Sequence, residues 1–205
     1  MGALDLADVH LIGHDWGASI AVAAACRLGG RIRSLSLLAV PHPVPFAAAL
    51  TADLRQLQRS WYMFFFQIPG LSEYVVRRDD FAFLEHLWRS WSPGFEPPEA
   101  VLAEMRRVFA EPGVVEASLG YYRAALGARG GAPDPYSPPV MAPTLGLCGA
   151  QDGCIGADIF LNCLPAERFP GGVRGECIAG AGHFLHLEAA EAVETRLRDH
   201  LARHR

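Results

Sequence analysis

One short stretch, residues 9–20, constrains the fold of this chain more than any other. An apolar run leads into Gly-His-Asp-Trp-Gly at residues 13–17, and an alanine-rich segment follows at once. A Gly-x-Asp-x-Gly pattern at such a boundary predicts a tight turn between a buried strand and a helix, because the residues two positions from its centre must be small. We therefore expect Asp15 at the C-terminal end of a strand, facing the free N–H groups of a helix.

An aspartate at this position differs chemically from the serine that esterases carry at a nucleophile elbow. A carboxylate with an ordinary pKa of about 3.9 is ionised at neutral pH. It can attack a saturated carbon that carries a leaving group and form a covalent ester. The same residues also fit a glycine-rich turn in which Asp15 only caps the helix. We favour the nucleophile.

Composition limits the class of protein. Hydrophobic residues make up 51% of the 205 residues and charged residues 20%, which is typical of one globular domain with a substantial core. The net charge is −4 and no basic run occurs, so no nucleic-acid partner is expected. Neither a signal peptide nor an apolar stretch of membrane-spanning length is visible.

The five cysteines are scattered and show no CxxC or metal-ligand spacing. They predict reduced, mostly buried thiols in a cytoplasmic protein that uses no metal or other cofactor. Nucleotide-binding glycine patterns are also missing.

The order of apolar runs and helical patterns predicts an α/β core with a mostly parallel sheet. Strands are predicted at residues 9–13, 34–40, 142–148 and 176–179, with helices at 18–28 and 187–204. The intervening region is rich in aromatic residues and repeatedly broken by Pro and Gly. It predicts helices at 46–57, 79–91, 98–110 and 114–126 and a linker at 130–135. The domains predicted are a discontinuous core at 1–43 and 139–205 and a helical cap at 44–138.

Three acid or base residues follow predicted strands: Asp15, Asp152 and His183. The C-terminal ends of parallel strands converge on one crevice, so we expect these side chains to meet there. Their chain order of nucleophile, acid and histidine is the order found in the α/β-hydrolase fold.

The chain resembles the epoxide hydrolases of the α/β-hydrolase superfamily. The matching segments extend over nearly its whole length; they are Gly-His-Asp-Trp-Gly at 13–17, Ser-Trp-Tyr at 60–62, Phe-Gln-Ile-Pro-Gly at 66–70, Gly-Tyr-Tyr-Arg at 120–123, Gly-Ala-Gln-Asp-Gly at 149–153 and Gly-His-Phe-Leu-His-Leu-Glu at 182–188.

The resemblance implies a role for each matched residue. Asp15 would be the nucleophile, and His183, oriented by Asp152, would activate the water that hydrolyses the ester. Tyr62 and Tyr122 would donate to the epoxide oxygen as the ring opens. Tyr121 is the alternative to Tyr122, because helical neighbours point about 100° apart.

The Trp16 backbone N–H would be an oxyanion donor. These enzymes normally supply a second donor from a His-Gly-x-Pro loop well before the elbow, and that loop has no counterpart here. We therefore expect a member truncated at its N-terminus, with four of eight strands, an open edge at the elbow strand and impaired activity.

The implied substrate is a small hydrophobic epoxide, although aromatic residues in an insertion also form cores. Two other readings stay open. A haloalkane dehalogenase shares the Asp nucleophile and often the following Trp, but it needs no ring-opening tyrosines. A non-catalytic remnant of the fold would keep the residues without the reaction. The oligomeric state is not predicted.

Overall fold

A single parallel sheet forms the centre of the molecule. The computed structural model describes residues 6–127 and 134–205. The strands are β1 (Val9–His14), β2 (Ile32–Leu38), β3 (Thr144–Gly149) and β4 (Val173–Ile178). They lie side by side in chain order and every neighbouring pair is parallel. The α/β fold class predicted from the sequence is therefore confirmed.

The sheet is covered on both faces. Leu35 and Leu37 of β2 pack in the larger hydrophobic cluster, together with helix α1 (Trp16–Leu28). Leu145 and Leu147 of β3 pack in a smaller cluster on the other face, together with helix α10 (Ala190–Arg203). This arrangement explains why all six residues of β3 and six of the seven residues of β2 are buried.

Helices connect the strands and close the chain. Helix α1 ends at Gly29, which has a φ of 34°, and this end agrees with the helix predicted at 18–28. Helix α8 (Ala157–Asn162) lies between β3 and β4. The single closing helix predicted at 187–204 is two helices, α9 (Leu185–Glu188) and α10, because the backbone of Ala189 leaves the helical conformation.

All the helices between β2 and β3 belong to one long insertion. They are α2 (Pro43–Ala52), α3 (Leu54–Arg59), α4 (Trp61–Phe65), α5 (Leu71–Trp91), α6 (Glu99–Phe109) and α7 (Val114–Leu126). The single helix predicted at 46–57 is wrong. Asp53 is extended, and its carboxylate accepts a hydrogen bond from the backbone N–H of Gln56 at 2.8 Å, which starts a new helix. Most of the predicted linker at 130–135 lies outside the described residues.

All five cysteines are free thiols, and every one except Cys177 is buried, as the sequence predicted. Within residues 6–127 and 134–205, the helices are too short or too polar to cross a bilayer.

Candidate active site

Asp15 occupies a strained turn between strand and helix. It stands alone between the end of β1 and the start of α1, with φ 52° and ψ −125°, a conformation that residues with side chains rarely adopt. A Cβ added to Gly13 would lie 2.3 Å from the carbonyl oxygen of Gly17, whereas a Cβ on Gly17 would meet nothing within 4 Å. The close approach predicted for both glycines therefore applies to Gly13 alone.

Asp152 and His183 form a buried pair at the ends of the neighbouring strands. Asp152 follows β3 and its Oδ2 lies 3.0 Å from His183 Nδ1. Its Oδ1 accepts hydrogen bonds from the backbone N–H groups of Cys154 at 2.7 Å and Ile155 at 2.9 Å. Both oxygens are thus engaged, and the carboxylate holds the imidazole in one orientation.

The other nitrogen of His183 faces the candidate nucleophile. His183 Nε2 lies 3.9 Å from Asp15 Oδ1, a separation too long for a direct hydrogen bond. Within the described parts of the chain this buried nitrogen has no hydrogen-bond partner. The three residues predicted from separate loops therefore come together, with the imidazole between the two carboxylates.

Contacts that the sequence did not predict hold the two loops in place. The carbonyl oxygen of Trp91, at the end of α5, accepts from the backbone N–H groups of Gly153 at 3.0 Å and His183 at 3.1 Å. The carboxylate of Glu188 accepts from the N–H groups on either side of the histidine, those of Gly182 at 2.6 Å and Phe184 at 3.0 Å. Glu188 lies in the segment 182–188 that carried the resemblance, but the Trp91 carbonyl has no signature in the sequence.

The charges of the site shift the pKa values of both Asp15 and His183. Burial disfavours ionisation of Asp15, but the nearby His183 outweighs it, so the pKa of Asp15 lies below its ordinary value of 3.8. Burial likewise favours a neutral His183, but the Asp152 carboxylate and the contact with Asp15 raise the pKa of the imidazole well above 6.5. Both shifts favour the charged forms, an aspartate beside an imidazolium.

The inserted helices bring two tyrosines to the same cavity. Tyr62 of α4 is buried and Tyr122 of α7 is half-buried, and both line a cavity of about 380 Å³ with Asp15. Burial raises the pKa of both hydroxyls, so both remain protonated donors. Tyr121 is 49% exposed and does not line that cavity, but lines a neighbouring one of about 320 Å³ whose wall also includes Trp16 and Tyr122. Tyr122 rather than Tyr121 therefore lines the cavity with Asp15, as the sequence predicted.

Trp16 contributes both its backbone and its ring. Its N–H is the first of α1, and its proximity helps to lower the pKa of the Asp15 carboxylate. Its side chain packs against the ring of Tyr122, with the two ring centroids 5.1 Å apart and nearly perpendicular. The rest of the cavity wall is mainly apolar and includes Val40, Val44, Phe46, Leu50, Met63 and Ile155.

Asp152, Cys154 and His183 are close enough to be considered as metal ligands, since their donor atoms lie within 4.8 Å of one another. Both Asp152 oxygens and His183 Nδ1 are already engaged in hydrogen bonds. The donor set therefore fits a carboxylate that orients a histidine better than a metal centre.

Comparison with known proteins identifies the family of this chain. A family model for the alpha/beta hydrolase fold matches residues 1–190. This chain belongs to that family. The chain order of Asp15, Asp152 and His183 is the order in which an α/β hydrolase carries its nucleophile, acid and histidine.

Named relatives of this α/β hydrolase are epoxide hydrolases. Epoxide hydrolase 2 of Caenorhabditis elegans is 27% identical over 197 residues, covering 93% of this chain and 53% of the relative. Epoxide hydrolase 3 of Xenopus tropicalis is 29% identical over 200 residues, covering 93% and 52%. The chain thus spans about half the length of these curated relatives.

The fold has solved counterparts. The crystal structure of Bacillus megaterium epoxide hydrolase in complex with an inhibitor superposes with a TM-score of 0.78 at 25% identity. The match covers 98% of this chain and 72% of that chain.

Proposed function

We propose that this site opens an epoxide to a vicinal diol through a covalent ester on Asp15. The observation that carries the proposal is the placement of Asp15, which lines one cavity with Tyr62 and Tyr122 while its Oδ1 lies 3.9 Å from His183 Nε2, a nitrogen with no hydrogen-bond partner among the described residues. This reaction needs a carboxylate nucleophile, a base that acts after it, and an acid that protonates the leaving oxygen.

In the first step a carboxylate oxygen of Asp15 forms a bond to one epoxide carbon. The bond from that carbon to the ring oxygen breaks, and its electron pair goes to the oxygen. That oxygen takes a proton from Tyr62 or Tyr122, giving a hydroxyalkyl ester. The ionised state of Asp15 supports this step, because the nucleophile needs no base.

In the second step His183 Nε2 takes a proton from water, and the water oxygen attacks the ester carbonyl of Asp15. Negative charge on the carbonyl oxygen is stabilised by the Trp16 backbone N–H. Collapse breaks the acyl C–O bond, and the alkoxide leaves as the diol with a proton from His183. The second proton of the attacking water leaves Asp15 for the phenolate formed in the first step, so Asp15 is regenerated as a carboxylate and the tyrosine as a hydroxyl.

The charge of the nucleophile links the two steps. The carboxylate of Asp15 helps to keep His183 protonated. Esterification removes that negative charge, so the pKa of His183 falls and the imidazole can lose its proton. His183 therefore becomes a base at the stage where the reaction requires one.

We also propose that residues 44–138 act as a cap over a core formed by 1–43 and 139–205. Tyr62, Tyr122 and the apolar wall from α2 come from this region. An apolar wall of this kind supports a small hydrophobic epoxide as the substrate.

Intact-mass analysis after mixing with styrene oxide tests the proposal. His183→Gln is expected to accumulate protein carrying the mass of one epoxide, because the ester forms but is not hydrolysed. Asp15→Asn is expected to carry no added mass. Asp158→Asn, which alters an exposed carboxyl outside this cavity, serves as the matched control and behaves as wild type. Absence of an adduct in His183→Gln contradicts the proposal.

A haloalkane dehalogenase remains the second enzymatic candidate. In that reaction the Trp side chain helps to bind the halide, whereas here the Trp16 ring packs edge-on against the ring of Tyr122. This contact favours the epoxide. Halide release from 1-bromobutane without diol formation from styrene oxide would instead support the dehalogenase, and failure of both reactions would support a non-catalytic protein.

A further inference from the structure

The ring-opening tyrosine has an unusual hydrogen-bond partner. The hydroxyl of Tyr62 lies 3.2 Å from Cys154 Sγ, and either atom could be the donor. Both side chains are buried, at 4% and 3% exposure, and both line the cavity that contains Asp15. Cys154 lies two residues after Asp152, so the contact joins the loop that carries Asp152 (the acid loop) directly to the inserted helix α4.

Two further contacts hold the cysteine itself in place. Its backbone N–H donates to Asp152 Oδ1 at 2.7 Å, and its carbonyl oxygen accepts from Gln56 Nε2 at 2.9 Å. The amide oxygen of Gln56 accepts from the backbone N–H of Gly156 at 3.1 Å. Gln56 lies in α3 and is almost fully buried, so its amide connects the insertion to the same loop through two hydrogen bonds.

We propose that Cys154 is a positioning residue for Tyr62, an inference that rests on the proposed epoxide opening. Its S–H donates to the phenolic oxygen and leaves the O–H of Tyr62 free to point at the epoxide oxygen. A thiol is a weak donor, but a buried hydroxyl oxygen without any donor would be left unsatisfied as it gains negative charge. When the epoxide oxygen takes the proton of Tyr62, the thiol keeps its own proton. Its hydrogen bond to the phenolate oxygen stabilises the phenolate until Tyr62 is reprotonated.

The role predicts an effect on one half-reaction only. Tyr62 acts in ring opening, so Cys154→Ala should slow ester formation about tenfold while leaving ester hydrolysis unchanged. Cys154→Ser retains a donor and should recover at least part of the rate. Cys163→Ala removes an equally buried thiol outside the cavity, and it should leave both steps as in wild type.

Single-turnover kinetics with styrene oxide measures the two steps separately. A double-mutant cycle is decisive: Cys154→Ala added to Tyr62→Phe should cause no further loss, because the thiol acts through the hydroxyl. An unchanged rate of ester formation in Cys154→Ala, a further loss in the double variant, or an equal slowing of both steps overturns the proposal. Wild-type protein that forms no ester at all refutes the proposed function, and so the two failures are distinguishable.

Discussion

At the scale of single residues, the site depends on which hydroxyls reach the leaving oxygen. Tyr62→Phe and Tyr122→Phe are each expected to slow ester formation by about ten- to a hundredfold, because each removes one hydrogen-bond donor from the cavity wall. Tyr121→Phe makes the same change on a half-exposed neighbour that lines a different cavity. It should be neutral in stopped-flow measurements of ester formation. A larger loss in Tyr121→Phe than in Tyr122→Phe would reverse the assignment.

The two half-reactions should differ in their dependence on pH. Asp15 has a pKa below 3.8, so ester formation should vary little between about pH 5 and pH 8. Hydrolysis requires the neutral imidazole of His183, whose pKa in the ester is still raised by the Asp152 carboxylate but no longer by Asp15, so its rate should increase with pH within this range until the imidazole is fully deprotonated. Single-turnover fluorescence measured at several pH values checks this. A hydrolysis rate that decreases as the pH rises would contradict His183 as the base.

At the scale of elements, the contact between β1 and α1 sets the position of Asp15, the proposed nucleophile. Gly13→Ala places a methyl group against the backbone of Gly17 and should destabilise the fold by about 3 kcal/mol or more. Gly17→Ala is the matched control, since its Cβ would face open space in a helix. It should be neutral or stabilising by up to about 1 kcal/mol. Urea denaturation of both variants measures the difference, and equal effects would contradict the geometry of the turn.

The inserted helices also position the loops that carry Asp152 and His183. The last turn of α5 supplies the Trp91 carbonyl that receives N–H groups from both the acid loop and the histidine loop. Helix α3 supplies Gln56, which bonds the backbone beyond Asp152. The helices therefore do more than form a wall: they hold the loops on which Asp152 and His183 lie.

At the scale of the whole molecule, burial of neutral histidines should make the fold sensitive to acid. His42 caps α2 by accepting from the N–H of Val44, and burial, followed by the charge of Arg168, lowers its pKa from 6.5 to about 4. The unfolded chain binds a proton at this residue more readily than the folded chain does. Its contribution of about 3 kcal/mol is therefore complete above about pH 6.5 and is lost as the pH falls to about 4.

His42→Asn tests this dependence. Asn keeps an acceptor at the N-cap and removes the titration. The variant is expected to be less stable at pH 7, because the smaller Asn side chain leaves a void in the core. Its free energy of unfolding should decrease less steeply between pH 6.5 and pH 4. Denaturant unfolding at a series of pH values gives both slopes, and identical slopes would show that His42 does not titrate in this range.

The sequence by itself determined the α/β class, the four strands, the turn that presents Asp15, and the residues that meet at the ends of the strands. These features are local or periodic: an apolar run, a glycine that permits close approach, and an acid or base just after a strand. It misplaced helix boundaries at Asp53 and Ala189, where a side-chain cap or a single backbone angle interrupts an otherwise helical pattern.

Only the tertiary structure decided which tyrosine lines the cavity, that Gly13 rather than Gly17 is sterically required, and that Gln56, Cys154 and the Trp91 carbonyl support the site. Each of these contacts joins residues that are distant in the chain or depends on the direction of a single bond. Such contacts leave no pattern in a sequence, because any polar side chain or carbonyl can make them once the packing of helices on the sheet has brought it within reach.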